Sequence, residues 1–276
     1  MTHVPDRCPS LSVRGWLFIQ MVVTLSGDVD LWIRRFNRGG EAGPRLVCFP
    51  HAGGASTFFH PLSVALEDTA QVVGVQYPGR QDRLGEAPLT SIAALADAIA
   101  ERLLLLGDRP MAFFGHSMGS IVAFEVTRRL EATPGAPTPL IIFPSARPAP
   151  SRGRPGNVHR GDDDSVLASI AALGGTDQRL LADPELRKII LPATRADYQA
   201  IESYHCAPGV TVGVPLRAMI GDSDPAVNEA EALAWREHTT SEFDLAVLPG
   251  GHFYLTAQMA AVADRVRAGL LGVAAG

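Results

Sequence analysis

Ser117 stands between two glycines, in Gly115-His116-Ser117-Met118-Gly119. An apolar run, Met111–Phe114, leads in, and a helical pattern over Met118–Leu130 leads out. A serine hydroxyl at its free pKa is a poor nucleophile and needs a neighbouring base. A sharp strand-to-helix turn lifts the hydroxyl clear of the backbone, and residues beside it must be small because the chain passes close to its neighbours. The helix N-terminus behind the turn favours developing negative charge. A tight turn with no chemistry is the alternative, and five residues alone do not exclude it.

Eight histidines compete for the role of base. His116 lies inside the turn and points the wrong way if Ser117 is the exposed residue. His3, His159 and His238 fall in stretches that read as solvated surface, and His60 and His205 have no companion motif. His252 is different. It sits in "PGGHFYL", after the apolar run Asp244–Leu248 and before the last helical pattern. A glycine-rich loop there presents a side chain at the carboxyl edge of a sheet, where α/β sites form. An orienting carboxylate is needed as well. The turn "GDSDP" after Leu216–Ile220 offers two, Asp222 and Asp224. Either can equally be a turn residue. The chain order Ser, Asp, His is the one expected on an α/β-hydrolase sheet.

Acyl transfer also requires donors for an oxyanion. The amide of Met118, directly after the serine, is one. The loop "CFPHAGGAS" after Arg45–Phe49 supplies a second, from an amide near His51-Ala52-Gly53. This loop lacks the patterns of a P-loop or a dinucleotide fingerprint, which argues against a nucleotide site. Phe49, Phe58 and Phe59 suit either the border of an acyl channel or the core, and core is the simpler assignment for such aromatics.

These side chains must be held by a scaffold. Short apolar runs at Arg45–Phe49, Val72–Tyr77, Met111–Phe114, Leu140–Phe143, Leu216–Ile220 and Asp244–Leu248 read as strands covered on both faces. Between them lie helical stripes such as Ile92, Leu95, Ile99, Leu103 and Met259, Val262, Val266, Leu270. Alternation of strand and helix predicts a mainly parallel α/β sheet. From Arg147 to about Pro208 the alternation stops. A Pro- and Gly-rich stretch leads to a helix over Ser165–Leu173, and a second helix opens at Asp183-Pro184 with a break or kink expected at Pro192. The expected division is a core of 28–146 and 209–276 with a helical lid at 147–208. Residues 1–27 are expected to be a disordered N-terminal extension, with Met21 an alternative start.

The chain has 276 residues, a net charge of −5 and three widely spaced cysteines. That allows one large domain, gives no basic stripe for nucleic acid and no disulfide or metal framework, and fits a reducing compartment. The apolar patch near residue 16 is too short for a membrane span. A cytoplasmic protein with no nucleic-acid or membrane partner is expected.

Seven stretches together extend the pattern beyond the serine turn: "LWIRRF", "FPHAGG", "QYPGRQDR", "FFGHSMG", "TRADYQAIESY", "GDSDP" and "PGGHFYL". In this order they resemble the type II thioesterases of polyketide and nonribosomal peptide assembly lines, from about Asp28 to about Leu271. The resemblance implies an α/β-hydrolase fold with a helical lid. It implies hydrolysis of acyl thioesters on the phosphopantetheine arm of acyl or peptidyl carrier proteins, clearing stalled or aberrant groups. No cofactor is implied, and a monomer is expected. On the family's pattern the nucleophile is Ser117, the base His252 and the orienting acid Asp224, which precedes proline. The oxyanion amides fall on Ala52 and Met118. The chain departs from the pattern in its N-terminal extension and at Ala146, where the family more often has glycine. The alternatives are a medium-chain acyl-carrier thioesterase of fatty acid synthesis or a general ester hydrolase. An excised terminal synthase domain is a weaker expectation than a chain that starts at its own methionine.

Overall fold

In a computed structural model, residues 28–39, 43–174 and 183–274 are described. The expectations for residues 1–27 lie outside them. Seven strands form one sheet: β1 (Ile33–Arg35), β2 (Arg45–Phe49), β3 (Gln71–Val75), β4 (Met111–His116), β5 (Ile142–Ser145), β6 (Leu216–Gly221) and β7 (Phe243–Leu248). Their order across the sheet is β1-β3-β2-β4-β5-β6-β7, parallel throughout except for β1, which pairs antiparallel with β3. The helices are α1 (His60–Ala65), α2 (Ile92–Leu103), α3 (Met118–Ala132), α4 (Asp163–Leu173), α5 (Pro184–Glu202), α6 (Glu229–Leu233), α7 (Tyr254–Ala257) and α8 (Met259–Ala274).

The central strands β2, β4 and β5 are buried at every position because both faces are covered. Along β2, Val47 and Phe49 join the core beneath α2 and α3, whereas Leu46 and Cys48 join the core beneath α1 and α8. This is the period-two alternation of a strand, with neither side left to water. The predicted stripe Ile92, Leu95, Ile99, Leu103 is the buried face of α2. Ser91 caps that helix, its side chain accepting from the Ala94 amide at 3.1 Å.

Three expectations need correction. The strand β1 was not foreseen: it is three residues long, carries two arginines, and takes its place at the edge only through pairing with β3. The run expected at Leu140–Phe143 pairs two residues later, as Ile142–Ser145. The break expected at Pro192 does not occur, and α5 runs through it as one helix. Pro192 is on the exposed side, where water takes up the carbonyl that lacks a donor.

Strand order sets the place of chemistry. From β2 the chain steps to β3 on one side, then returns past β2 to β4 on the other. The carboxyl ends of β2 and β4 therefore flank the point where the order reverses, where crevices form in such sheets. Phe49 pairs with Gly115, which brings the loop after β2 beside the turn holding Ser117. Gly221 pairs with Leu248, which brings the loop of Asp224 beside that of His252.

Candidate active site

Ser117 occupies a strained turn, with φ 54° and ψ −120°. Its amide donates to the Ser145 carbonyl at 2.8 Å, and Ser120 Oγ donates to the Gly115 carbonyl at 2.8 Å, so the turn is tied to β5 and to itself. The flanking glycines have a steric cause. A Cβ on Gly115 would stand 2.4 Å from the Gly119 carbonyl oxygen, and one on Gly119 would stand 2.0 Å from that of Phe49. No side chain fits at either position. The Met118 amide is the first of α3, where helical geometry leaves the donor free. Neither it nor the Ala52 amide has a backbone acceptor among the described residues.

His252 is buried, and its Nδ1 lies 3.0 Å from both carboxylate oxygens of Asp224. The Asp224 side chain is fully inaccessible, and one of its oxygens also accepts from the Ala226 amide at 2.8 Å. The other nitrogen, Nε2, is buried without a partner. Asp222 does something else: it is exposed and accepts from the Gly250 amide at 3.0 Å, pinning the histidine loop to the aspartate loop. Of the two carboxylates in this turn, Asp224 and not Asp222 is the one that meets His252.

Ser117, Met118, Ala52 and His252 border one cavity of about 490 Å³. Its far side is built by α4 and α5, through residues such as Ile170, Leu173, Ile190 and Ile201. Phe49, Phe58 and Phe59 do not line it. Phe49 packs edge-on against Phe113 in the core, and Phe58 lies against His51 and His116. Phe253, beside the histidine, is the phenylalanine that lines the cavity.

Two further histidines surround the site. His51 borders the cavity with a pKa pushed down to about 3, first by burial and then by the neighbouring His252 and Arg80. His116 lies beneath the turn, its Nδ1 3.0 Å from Ser145 Oγ, which in turn meets the Tyr254 hydroxyl at 2.8 Å. Burial first, then His252 and His51, holds His116 well below the ordinary range. Both rings are neutral at pH 7, so they add no charge that would compete with a proton on His252.

A buried arginine–aspartate ion pair at the site is not evident in the sequence. Asp197 on α5, 1% exposed, meets Arg80 through two contacts of 2.6 and 2.9 Å. The same carboxylate accepts from the Gly53 amide at 2.8 Å, and Arg80 donates to the Gly54 carbonyl at 2.9 Å. The helix over the cavity thereby holds the loop that carries Ala52. A faint signal existed: Asp197 falls on the helical face of Ala193, Ala196, Ala200 and Ile201, where an unpaired carboxylate is not tolerated. His238 also departs from expectation. It is fully buried, with Nδ1 2.7 Å from the Val210 carbonyl and Nε2 2.7 Å from Ser151 Oγ. Both nitrogens are partnered, so a ring in a charged stretch of sequence is a structural tie. Among the described residues no group of three or more His, Cys, Asp and Glu is placed to hold a metal ion. No helix among them is long and apolar enough to cross a membrane.

A serine in a strained elbow after β4, with a histidine–aspartate pair from the last two strand ends, defines an α/β-hydrolase. Within that fold the sequence model of the thioesterase domain matches residues 44–270, and the chain belongs to the thioesterase family. A probable cadicidin biosynthesis thioesterase of Streptomyces griseus is 44% identical over 87% of this chain, which spans 66% of that relative. Thioesterase PikA5 of Streptomyces venezuelae is 43% identical over 85% of this chain and 83% of its own length. The solved type II thioesterase BorB, from the borrelidin biosynthetic cluster, superposes with a TM-score of 0.81 at 43% identity, covering 87% of this chain and 98% of BorB.

Proposed function

We propose that this chain releases acyl groups from the phosphopantetheine arm of carrier proteins in a polyketide or nonribosomal peptide assembly line, clearing stalled or aberrant units. The observation that carries the reading is the His252–Asp224 pair at 3.0 Å, with its second nitrogen unpartnered on the cavity that Ser117 also borders. The Asp224 carboxylate keeps the proton on Nδ1, so Nε2 offers a lone pair. His252 takes the Ser117 proton as Oγ attacks the thioester carbonyl. The amides of Ala52 and Met118 receive the oxyanion. The thiolate leaves with the proton from His252, and a water activated by His252 then hydrolyses the acyl-serine. The steps call for no cofactor.

In this reading residues 28–146 and 209–276 are the catalytic core and 147–208 a lid over the acyl chamber. The enzyme works in the cytoplasm as a monomer and meets acyl or peptidyl carrier proteins through the arm they bear. The names of two relatives, a probable cadicidin biosynthesis thioesterase and the type II thioesterase BorB from the borrelidin biosynthetic cluster, support the assembly-line role.

The test offers purified protein the same acyl group as a carrier-bound thioester, a coenzyme A thioester, a small thioester and an oxygen ester. The carrier-bound thioester is expected to be cleaved with the highest kcat/KM, and Ser117→Ala to abolish turnover of all four. Faster cleavage of the oxygen ester would overturn the substrate assignment. A strong preference for medium-length unbranched chains on a fatty-acid carrier would move the enzyme to fatty acid synthesis.

A further inference from the structure

The acyl-transfer steps leave part of the cavity's polar lining without a task. Ser169 and Thr194 line it, but their hydroxyls are satisfied by the Ser165 and Ile190 carbonyls at 3.0 and 2.8 Å. Arg147 is different. Its guanidinium has neither a hydrogen bond nor an ion pair among the described residues, and its Nε is buried and unpartnered. Burial lowers its pKa to about 10, which leaves the group charged at neutral pH. Tyr198, on α5, lines the same cavity near enough to Arg147 for each to affect the other's ionisation, and its hydroxyl makes no hydrogen bond among the described residues.

The backbone holds this cation in place. Ala146 before it is forced to φ 53°, with its amide donating to the Met219 carbonyl at 2.9 Å. The Arg147 carbonyl accepts from Trp235 Nε1 at 2.9 Å. The Arg147 side chain is partly buried, and its Nε is buried without a partner; a polar group so placed is favourable where something entering the cavity completes it. Both groups are hydrogen-bond donors as they stand: the guanidinium has no acceptor among the described residues, and the tyrosine hydroxyl is un-ionised at neutral pH. Apart from Tyr198, Ser169 and Thr194, the side chains that α4 and α5 present to the cavity are aliphatic. What fits is an apolar chain that carries an oxygen acceptor.

We propose that Arg147, with Tyr198, is a specificity-determining subsite that selects acyl chains bearing a keto or carboxylate oxygen beyond the thioester carbonyl over plain alkyl chains. The proposal rests on the reading of this cavity as the acyl chamber. The guanidinium fork suits a carboxylate through two parallel bonds and a keto oxygen through one.

The test compares butanoyl, 3-oxobutanoyl and 3-carboxypropanoyl thioesters of N-acetylcysteamine on the wild type, Arg147→Met, Arg147→Lys and Tyr198→Phe. Within each variant the ratio of kcat/KM for an oxygenated chain to that for butanoyl is read, so the folded fraction cancels. Hydrogen bonds to a charged group predict that Arg147→Met lowers this ratio by about 10- to 100-fold, mainly through KM. Arg147→Lys should recover part of it, and the carboxylate chain should lose more than the keto chain. An equal loss on all three substrates would overturn the proposal and make Arg147 structural. A loss that appears only when pantetheine replaces N-acetylcysteamine would also overturn it, since the arginine would then read the arm. Absence of wild-type turnover on all three chains would overturn the thioesterase reading itself, and the subsite with it.

Discussion

Asp197→Ala tests how the helix over the cavity is joined to the chemistry beneath it. The carboxylate is 1% exposed and takes two bonds from Arg80 and one from the Gly53 amide. Its removal leaves a buried guanidinium without its counter-charge and a backbone donor without its acceptor. Breaking a buried pair by removing one partner costs about 3–5 kcal/mol. In a chain of this size that corresponds to a fall in Tm of roughly 6–20 °C. The Ala52 amide sits next to the released Gly53. Loss of an oxyanion donor outright lowers kcat by about 10²–10³-fold, so a donor that is only loosened should lower it by at least about tenfold. Thermal denaturation and steady-state kinetics on a small thioester measure the two effects separately. The double variant Arg80→Met/Asp197→Leu then divides them. With no charge left unpaired it should recover most of the stability, because an apolar replacement of a buried pair is often neutral or better. It should not recover kcat, because Gly53 still has no anchor. Unchanged Tm and kcat in Asp197→Ala, or recovery of both in the double variant, would refute the reasoning.

Four shorter predictions follow from single contacts. Asp224→Asn should lower kcat by up to about 10⁴-fold through the wrong imidazole tautomer, whereas Asp222→Ala loses one exposed hydrogen bond and should change kcat less than about tenfold; both are read by steady-state kinetics. Gly119→Ala places a Cβ 2.0 Å from the Phe49 carbonyl oxygen, so turnover should fall more than about 100-fold, with destabilisation of about 1–3 kcal/mol or more in urea titrations. Ala146→Gly relieves a φ of 53° and should stabilise by up to about 1 kcal/mol in the same titrations. Stability should also fall as pH drops from 7 to 5. Below pH 6.5 an unfolded His51 binds a proton that the folded ring, with a pKa of about 3, does not, so the unfolded state gains. This amounts to at most about 2 kcal/mol by pH 5, because part of the ring faces the cavity, and His51→Gln should flatten the slope.

Much of this layout is legible in the sequence because local chemistry dictates it. Two-sided burial writes continuous apolar runs, and all six predicted strands lie within two residues at each end of those observed. The strand order follows less directly, since nothing local in β1 announces that Ile33–Arg35 will pair with β3. The serine turn is legible for a steric reason that the structure makes explicit: a Cβ on Gly119 or Gly115 would stand 2.0 or 2.4 Å from a carbonyl oxygen. Proximity to proline favoured Asp224 over Asp222, but only the pairing of β6 with β7 places one carboxylate under His252 and the other on Gly250. The Arg80–Asp197 tie spans 117 residues of sequence. Asp197 stands out only by its place on an apolar helical face, and nothing local names Arg80 as its partner. His238 was hidden in the same way, its polar neighbours in sequence masking partners that come from distant loops.

The most direct measurement is to locate the covalent intermediate. The protein is mixed with an acyl-loaded carrier, quenched with acid within milliseconds to seconds, digested and mapped by mass spectrometry. The account predicts an acyl group on the peptide containing Ser117, attached at that serine, and its absence in Ser117→Ala with hydrolysis abolished. An acyl group on another residue, or undiminished hydrolysis by Ser117→Ala, would contradict it.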